Sequence, residues 1–397
     1  MPSYLKDSVK AHCSGCGACV QVCPVGAIEF VEDSHSFIYP QTDSSKCINC
    51  SKCFGVCPFE NKGETADMQQ QKFYAAKSKN DKTIKDSSSG GAFSEIVEAV
   101  CDENYAVFGA ELNNNLKAVH TFIEDKNDLP RLQKSKYLQS NTGDSFKKAK
   151  EFLADGKKVV FAGTPCQIAG LKNFLGKDYD NLLCVDIVCH GVPSQKIFDK
   201  YISELEKELG SKVTGFTFRN KVNFDKPKKC NQKTVLIKTA DGKETVKEVL
   251  QCEYLAAFHE ALTYRDSCAQ CPFANTERVG DITIADFWGG EKYYPDFYDP
   301  RGTSLIILNN QKGLSYLEKI KARTAVIETD REKACKNNAQ LRRPVRFHPN
   351  RDKFLELNKN NPFCYSVREC ITIPSPTRLL LSKLVSPLKK AVRKIKK

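Results

Sequence analysis

Cys13-Ser-Gly-Cys16-Gly-Ala-Cys19-Val-Gln-Val-Cys23-Pro24 and Cys47-Ile-Asn-Cys50-Ser-Lys-Cys53-Phe-Gly-Val-Cys57-Pro58 write one spacing twice near the start of the chain. That spacing, C-x2-C-x2-C-x3-C-P, holds two four-iron cubes, with the fourth cysteine of each run reaching across to the other cube. It assigns Cys13, Cys16, Cys19 and Cys57 to one 4Fe-4S cluster, and Cys47, Cys50, Cys53 and Cys23 to a second. A zinc site would pair two clips, or a clip with histidines, without a proline after the last thiol. A disulfide framework would call for an oxidising compartment and usually a small secreted chain. Gly15, Gly17 and Gly26 suit a backbone that wraps closely around a cofactor. Such a module moves electrons.

The chain has 397 residues and 19 cysteines, so eleven thiols remain beyond the octet. At roughly one domain per 150 residues, two or three domains are expected. No basic–apolar–cleavage pattern opens the sequence, and no apolar run approaches the ~18 residues of a membrane span. The expected location is therefore cytoplasmic. The net charge of +13 is unevenly placed, with the last 21 residues carrying eight cations and no acid. The remaining modest excess favours an acidic redox partner or a phosphate-bearing ligand. No zinc finger, RNP or basic zipper pattern accompanies it, so no nucleic-acid partner is expected.

Residues 1–62 read as a ferredoxin module of the bacterial dicluster fold, and the polar stretch 61–72 as a linker. Beyond it, strand-like runs at 157–162, 182–188, 281–285 and 304–308 alternate with helix-like runs at 91–102, 165–175, 194–209 and 311–322. This alternation predicts a mixed α/β domain. Residues 211–250 hold short β-prone runs around a Lys-rich loop and predict a small antiparallel insert.

Four stretches of the body carry chemistry-bearing residues. Asp86-Ser-Ser-Ser-Gly-Gly-Ala-Phe-Ser94 opens a helix with hydroxyls and glycines, which suits an anion such as a flavin pyrophosphate. The plainer alternative is an ordinary Ser-capped helix. Gly163-Thr-Pro-Cys-Gln167 ends a strand and starts a helix, placing Cys166 in the first turn, where thiolate is favoured. Cys189-His190-Gly191 follows another strand, at the end of an open sheet where ligands usually bind. Cys268-Ala-Gln-Cys271-Pro272 is an isolated clip that alone decides nothing. Together, Cys166, Cys189, Cys268 and Cys271 make the four thiolates that a third cube requires. The other seven cysteines have no partner spacing and read as small apolar residues.

Ser87-Ser-Ser-Gly-Gly91, Gly163-Thr-Pro-Cys-Gln167, Cys189-His-Gly191, Cys268-x2-Cys271-Pro-Phe273 and Asp286-Phe-Trp-Gly289 occur in that order. The set resembles the family of beta subunits of coenzyme F420 (deazaflavin) hydrogenases and dehydrogenases across residues 72–345, with the ferredoxin module fused in front. That family also takes in F420-independent reductases, among them chlorophyllide vinyl and hydroxymethyl reductases, and members from bacterial surface-glycan gene clusters. The resemblance implies FAD plus a cluster on the body, held by Cys166, Cys189, Cys268 and Cys271. It would lay Ser88, Ser89, Gly90, Gly91, Gly163 and Thr164 along the flavin, with Arg219, Lys221 and Asp286 also near it. The Lys-rich stretch 221–233 departs from any deazaflavin-binding segment, which leaves use of coenzyme F420 open.

Residues 346–397 read as a basic C-terminal extension. Its last part mixes leucines with cations and offers either peripheral contact with an anionic membrane face or a solvated basic helix. The expected function is an iron–sulfur flavoprotein oxidoreductase. It would pass electrons from a ferredoxin or a deazaflavin through the clusters to FAD and on to a small-molecule or glycan-precursor acceptor. His190 and Tyr264 are proton-donor candidates by residue type. A non-catalytic electron-transfer subunit and a cluster-bearing sensor are the alternatives.

Overall fold

The computed structural model describes residues 1 and 3–375, so the basic stretch 377–397 lies outside the described residues. In the N-terminal module, β1 (Ile28–Glu32) and β2 (Ile38–Thr42) form an antiparallel hairpin. Each cysteine run makes the same local structure, a left-handed residue followed by a short helix carrying the third cysteine. The helices are Ala18–Val22 and Lys52–Gly55, entered from Gly17 at φ 82° and Ser51 at φ 60°. Gly17 is needed twice over, because a Cβ there would also meet Thr142 Oγ1 at 2.3 Å.

The body is built on eight strands. They are β3 (Lys72–Ser78), β4 (Tyr105–Leu112), β5 (Ala118–Ile123), β6 (Lys158–Gly163), β7 (Leu182–Ile187), β11 (Ile282–Asp286), β12 (Ser304–Leu308) and β13 (Thr324–Thr329). Their order across the sheet is β13-β3-β12-β11-β7-β6-β4-β5. The central strands β4, β6, β7 and β11 run parallel, while β5, β12 and β13 run against their neighbours. Strict alternation splits their side chains between two faces. Val159, Phe161, Leu182 and Cys184 pack on the helix Pro165–Leu175 and on Cys16 and Ala18 of the N-terminal module. Val160, Leu183 and Val185 pack on the helix Ala92–Val100. The cube-bearing loop is therefore part of one face of the central core.

The insert is a second sheet of β8 (Val213–Val222), β9 (Asn231–Thr239) and β10 (Glu244–Glu248), antiparallel as its short β-prone runs implied. It is not isolated. Phe216, Phe218, Val235 and Ile237 share a cluster with the helices Gln195–Leu209 and Glu253–His259, and with Phe37 and Tyr39 at the ferredoxin hairpin. The segment read as an extension also differs from expectation. Its helices Arg351–Asn360 and Phe363–Arg368 bury Phe354, Phe363 and Val367 in this cluster. The charge of the final residues concealed an apolar stripe just before them. The 61–72 stretch lies against the body too, where the Ala66 N–H donates to the Arg278 carbonyl and Lys62 pairs with Glu277 at 2.9 Å.

Among the described residues, no helix is long and apolar enough to cross a membrane. Phe354 is fully buried, so Phe354→Ala is expected to cost about 3–5 kcal/mol. Urea unfolding followed by circular dichroism would measure this loss. A freely solvated segment would lose almost nothing.

Candidate iron–sulfur and flavin site

All nineteen cysteines are free thiols. Cys13, Cys16, Cys19 and Cys57, the first set expected from the spacing, line one recess together with Tyr4, Phe30, Pro40 and Phe59. Burial pushes the Cys13 thiol up to about 11 and raises Cys16 and Cys19 further, each thiolate repelling its neighbours in the set. Left alone, these thiols would stay protonated. They suit a cationic iron core that pulls off their protons. Backbone N–H groups of Gly15 and Ala18 point at the sulfurs of Cys13 and Cys16, the kind of contact that sets a cluster's potential. The recess and its donor set fit a cube.

The three body stretches also meet. β6 and β7 end side by side, bringing Cys166 and Cys189 to one edge of the sheet. The turn Asp266–Gln270 and the residue after it bring Cys268 and Cys271 to the same place. Burial raises all four thiols, to about 12 for Cys268 and about 11 for Cys271, and Cys189, Cys268 and Cys271 each feel the charge of Cys166. Cys166 is held by the start of its helix, where the Thr164 N–H donates to Gln167 Oε1 at 3.0 Å and Thr164 Oγ1 lies 3.2 Å from its sulfur.

The first set and the body set adjoin. Ser14, beside Cys13, comes within reach of Cys166 and favours its thiolate, and Cys13 and Cys16 feel the charge of Cys166. Gly170, one turn beyond Cys166, faces Cys16 so closely that a Cβ would stand 3.1 Å from its sulfur. Cys47, Cys50, Cys53 and Cys23 lie on the outer side of the module, where Cys50 is exposed and Cys53 senses its charge. The Ala27 N–H donates to the Cys23 sulfur at 3.2 Å. Of the seven cysteines without partner spacing, Cys101, Cys184, Cys252, Cys335 and Cys370 are buried, while Cys230 and Cys364 are half-buried.

Beyond the body set, the sheet edge carries two histidines. His190 and His259 are exposed, yet desolvation is the leading influence on both, holding His190 below its usual value and His259 down at about 4. Both thus keep solvent contact in a crowded neighbourhood that includes Arg219. Arg219 donates to Asp286 at 2.6 Å and stacks over Trp288 at 5.8 Å. Burial opposes the Arg219 charge, but Asp286 outweighs it and keeps the guanidinium fully protonated.

Ser88, Ser89, Gly90 and Gly91 lie along the same edge, and the fold already uses them. Ser88 Oγ accepts the Ser135 N–H at 2.8 Å, and Ser89 Oγ donates to the Thr303 carbonyl at 3.1 Å. A Cβ on Gly90 would strike the Ala76 carbonyl at 2.7 Å and the Ser304 nitrogen at 2.9 Å. What favours an anion here is the lysine above them. Lys221 Nζ donates to the carbonyls of Ile84 and Ser89, at 2.5 and 2.8 Å, with no carboxylate among these contacts. Burial, helped by Arg219, pulls its pKa down to about 7. Lys136, not singled out in the sequence, likewise donates to the carbonyls of Arg131 and Gln133, and burial lowers it to about 7. A bound anion would supply the missing negative charge. Gly163 and Thr164 sit at the β6 end, where His120 Cε1 lies 3.4 Å from the Gly163 Cβ position. Tyr264 is placed differently from an open-site acid. Its ring is buried under Gly191 and against Phe258.

Residues 156–334 match the C terminus of the coenzyme F420 hydrogenase/dehydrogenase beta subunit, and residues 12–61 match the 4Fe-4S dicluster domain. Over that body segment the chain is thus similar to the beta subunits of coenzyme F420 hydrogenases and dehydrogenases, with a dicluster segment in front. One relative, a subunit of the F420H2 dehydrogenase of Methanosarcina mazei, is 26% identical over 225 residues, which is 52% of this chain and 62% of that protein. The coenzyme F420-dependent sulfite reductase of Methanocaldococcus jannaschii is 30% identical over 164 residues, which is 40% of this chain and 24% of that protein. The chain thus spans less than two thirds of the length of these relatives. A chain of the F420-reducing NiFe hydrogenase complex from Methanosarcina barkeri aligns at a TM-score of 0.44 and 16% identity, covering 77% of this chain and 92% of that one.

Sequence reasoning missed Tyr137, Lys136 and His259, because nothing in their local spacing distinguishes them. It also missed the residues that dock the ferredoxin loop. Thr142 Oγ1 donates to the Cys16 carbonyl at 2.9 Å, Gln139 Nε2 donates to Ser14 O at 2.7 Å, and Gln21 Oε1 accepts the Phe146 N–H at 2.9 Å. The Arg219–Asp286 pair gives a direct test of this edge. Asp286→Ala leaves a nearly buried guanidinium unpaired and is expected to destabilise the chain by about 3–5 kcal/mol. Adding Arg219→Met should return most of that loss in the same urea titration.

Proposed function

We propose that this chain is an iron–sulfur flavoprotein oxidoreductase. It takes electrons from a reduced ferredoxin, or from a reduced deazaflavin, and delivers them to an organic acceptor at that edge of the large sheet. Bound in these sites, the cubes would carry electrons singly and FAD would gather two for hydride delivery. The observation that carries the reading is the close approach of Gly170, on the helix whose first turn holds Cys166, to the Cys16 sulfur, which sets the ferredoxin cysteines against the body cysteines. Cys50 and Cys53 lie on the outer side of the module, where a partner protein can reach them.

The remaining roles follow from placement. Cys13, Cys16, Cys19 and Cys57 hold the inner cube, with Cys47, Cys50, Cys53 and Cys23 for the outer one. Cys166, Cys189, Cys268 and Cys271 hold the third. Lys221 and Lys136 neutralise the flavin phosphates, and Arg219, fixed by Asp286, offers a cation at the edge. His190, solvent-accessible beside Cys189, is the side chain placed to hold or pass a proton at the acceptor. Tyr264 shapes the floor beneath Gly191 instead. The acceptor class to screen first is a sugar nucleotide or lipid-linked glycan precursor. A second reading, an electron-transfer subunit of a larger complex, is favoured by the relative that is itself a dehydrogenase subunit.

Protein purified and reconstituted without oxygen should hold about twelve irons and one flavin per chain, falling to about eight irons in Cys189→Ser. Eight irons in the unaltered protein would remove the third cube. Flavin bleached by reduced ferredoxin should recover its colour on adding a small-molecule acceptor alone. Recovery only with a partner protein would establish the electron-transfer reading.

Lys221 supplies a pH test. Its free-state pKa of about 7 means that above that pH it must take up a proton to meet the phosphates. FAD affinity should therefore be greatest below pH about 7 and weaken by up to about tenfold per pH unit above it. Lys221→Met should bind FAD more weakly and without this slope. Equilibrium dialysis across the pH range would show both.

A further inference from the structure

Arg265 is among the largest fully buried side chains, with only 1% of its surface exposed. Arginine brings a permanent cation wherever it is buried. Nε donates to Gln139 Oε1 at 3.0 Å, Nη2 to the Ile38 carbonyl at 2.6 Å, and Nη1 to the Cys13 carbonyl at 3.5 Å. The plane lies over Tyr39 at 4.4 Å and near Phe37 at 5.5 Å. None of these partners is a carboxylate. The neighbouring Asp266 is already taken by Arg351. Burying a cation without a counter-charge is costly, so a retained one calls for negative charge nearby.

The backbone of the same residue faces the other way. Its carbonyl accepts the Cys268 N–H at 3.0 Å and its own N–H donates to Val192 O at 3.0 Å, within the loop that follows Cys189. One residue thus grips the Cys13 loop with its side chain and the Cys189 and Cys268 loops with its backbone. Four thiolates give a ligated cube a net negative charge, and such charge on both sides is what the guanidinium lacks among its protein contacts.

We propose that Arg265 is the positioning and potential-setting cation between the inner ferredoxin cube and the body cluster. It rests on the reading that both cysteine sets hold cubes. A fixed positive charge favours the reduced, more negative state of each neighbour. It therefore raises both midpoints together and keeps the one-electron step between them close to level. No proton or bond changes hands in that step: one cube loses one electron and its neighbour gains it.

The test is a potentiometric titration of the full-length, anaerobically reconstituted protein, followed by electron paramagnetic resonance, for Arg265→Gln, Gln139→Glu and Gln139→Ala. Iron content and brown absorbance report separately whether the cubes are present. A shortfall in the unaltered protein would therefore sink the cluster reading, and not the role of Arg265 alone. Arg265→Gln should lower the midpoint of the cube next to Cys13 by about 59 mV, a tenfold drop in the reduced-to-oxidised ratio at fixed potential. Gln139→Glu keeps the cation but sets a carboxylate against it, and should move the midpoint the same way. Gln139→Ala removes the same contacts without adding charge, and should titrate as the unaltered protein does. An unshifted midpoint in Arg265→Gln would overturn the proposal. If that variant fails to load its cubes, Gln139→Glu against Gln139→Ala decides, and equal midpoints in that pair would overturn it.

Discussion

The loop Cys13–Gly17 is pressed into the body by a small set of buried polar contacts, and much else in the molecule follows from that docking. Arg265, Gln139 and Thr142 take up the carbonyls of Cys13, Ser14, Gly15 and Cys16. A loop wrapped around a cube has few regular backbone partners, and buried carbonyls left unpaired would cost free energy. The body supplies the missing donors. In return, a module that would otherwise be a separate small domain shares two apolar clusters with the large sheet and the insert. The Cys13–Cys16 loop and the helix of Cys166 adjoin because this seam is closed.

The large sheet explains why three distant cysteine stretches meet. Parallel strands bring their carboxyl ends to one side, so the stretches after β6 and β7 become neighbours, and the clip before β11 is docked on them by the Arg265 N–H to Val192 O bond. Cys166, Cys189 and Asp286 all leave the sheet on that side. The insert then brings Arg219, and the helix Glu253–His259 brings His259, close to this edge.

Much of this was legible in residue order. The cysteine octet announced its module because a cube imposes a strict local spacing, and strands β6, β7, β11 and β12 stood out as short β-branched runs ending in glycine, polar or capping residues. Less legible was anything set by contacts between distant segments. Phe354 and Phe363 sit in a stretch whose charge hides their stripe, so 351–370 read as an appendage and not as core. Ser88 and Ser89 looked like ligand hydroxyls, yet their first use is to close the loop onto Thr303 and Ser135. Arg265 carried no signal at all: one arginine before an isolated C-x2-C clip has no periodicity, and its meaning lies in carbonyls more than 220 residues away.

Gly170 carries a consequence of its own. With only a hydrogen between the helix Pro165–Leu175 and the Cys16 sulfur, the protein keeps a close approach at a residue that can grow one carbon at a time. Alanine and then valine would act as wedges of graded thickness, pressing on that sulfur and on the helix together. The spacing between module and body therefore hangs on a position with no room to spare.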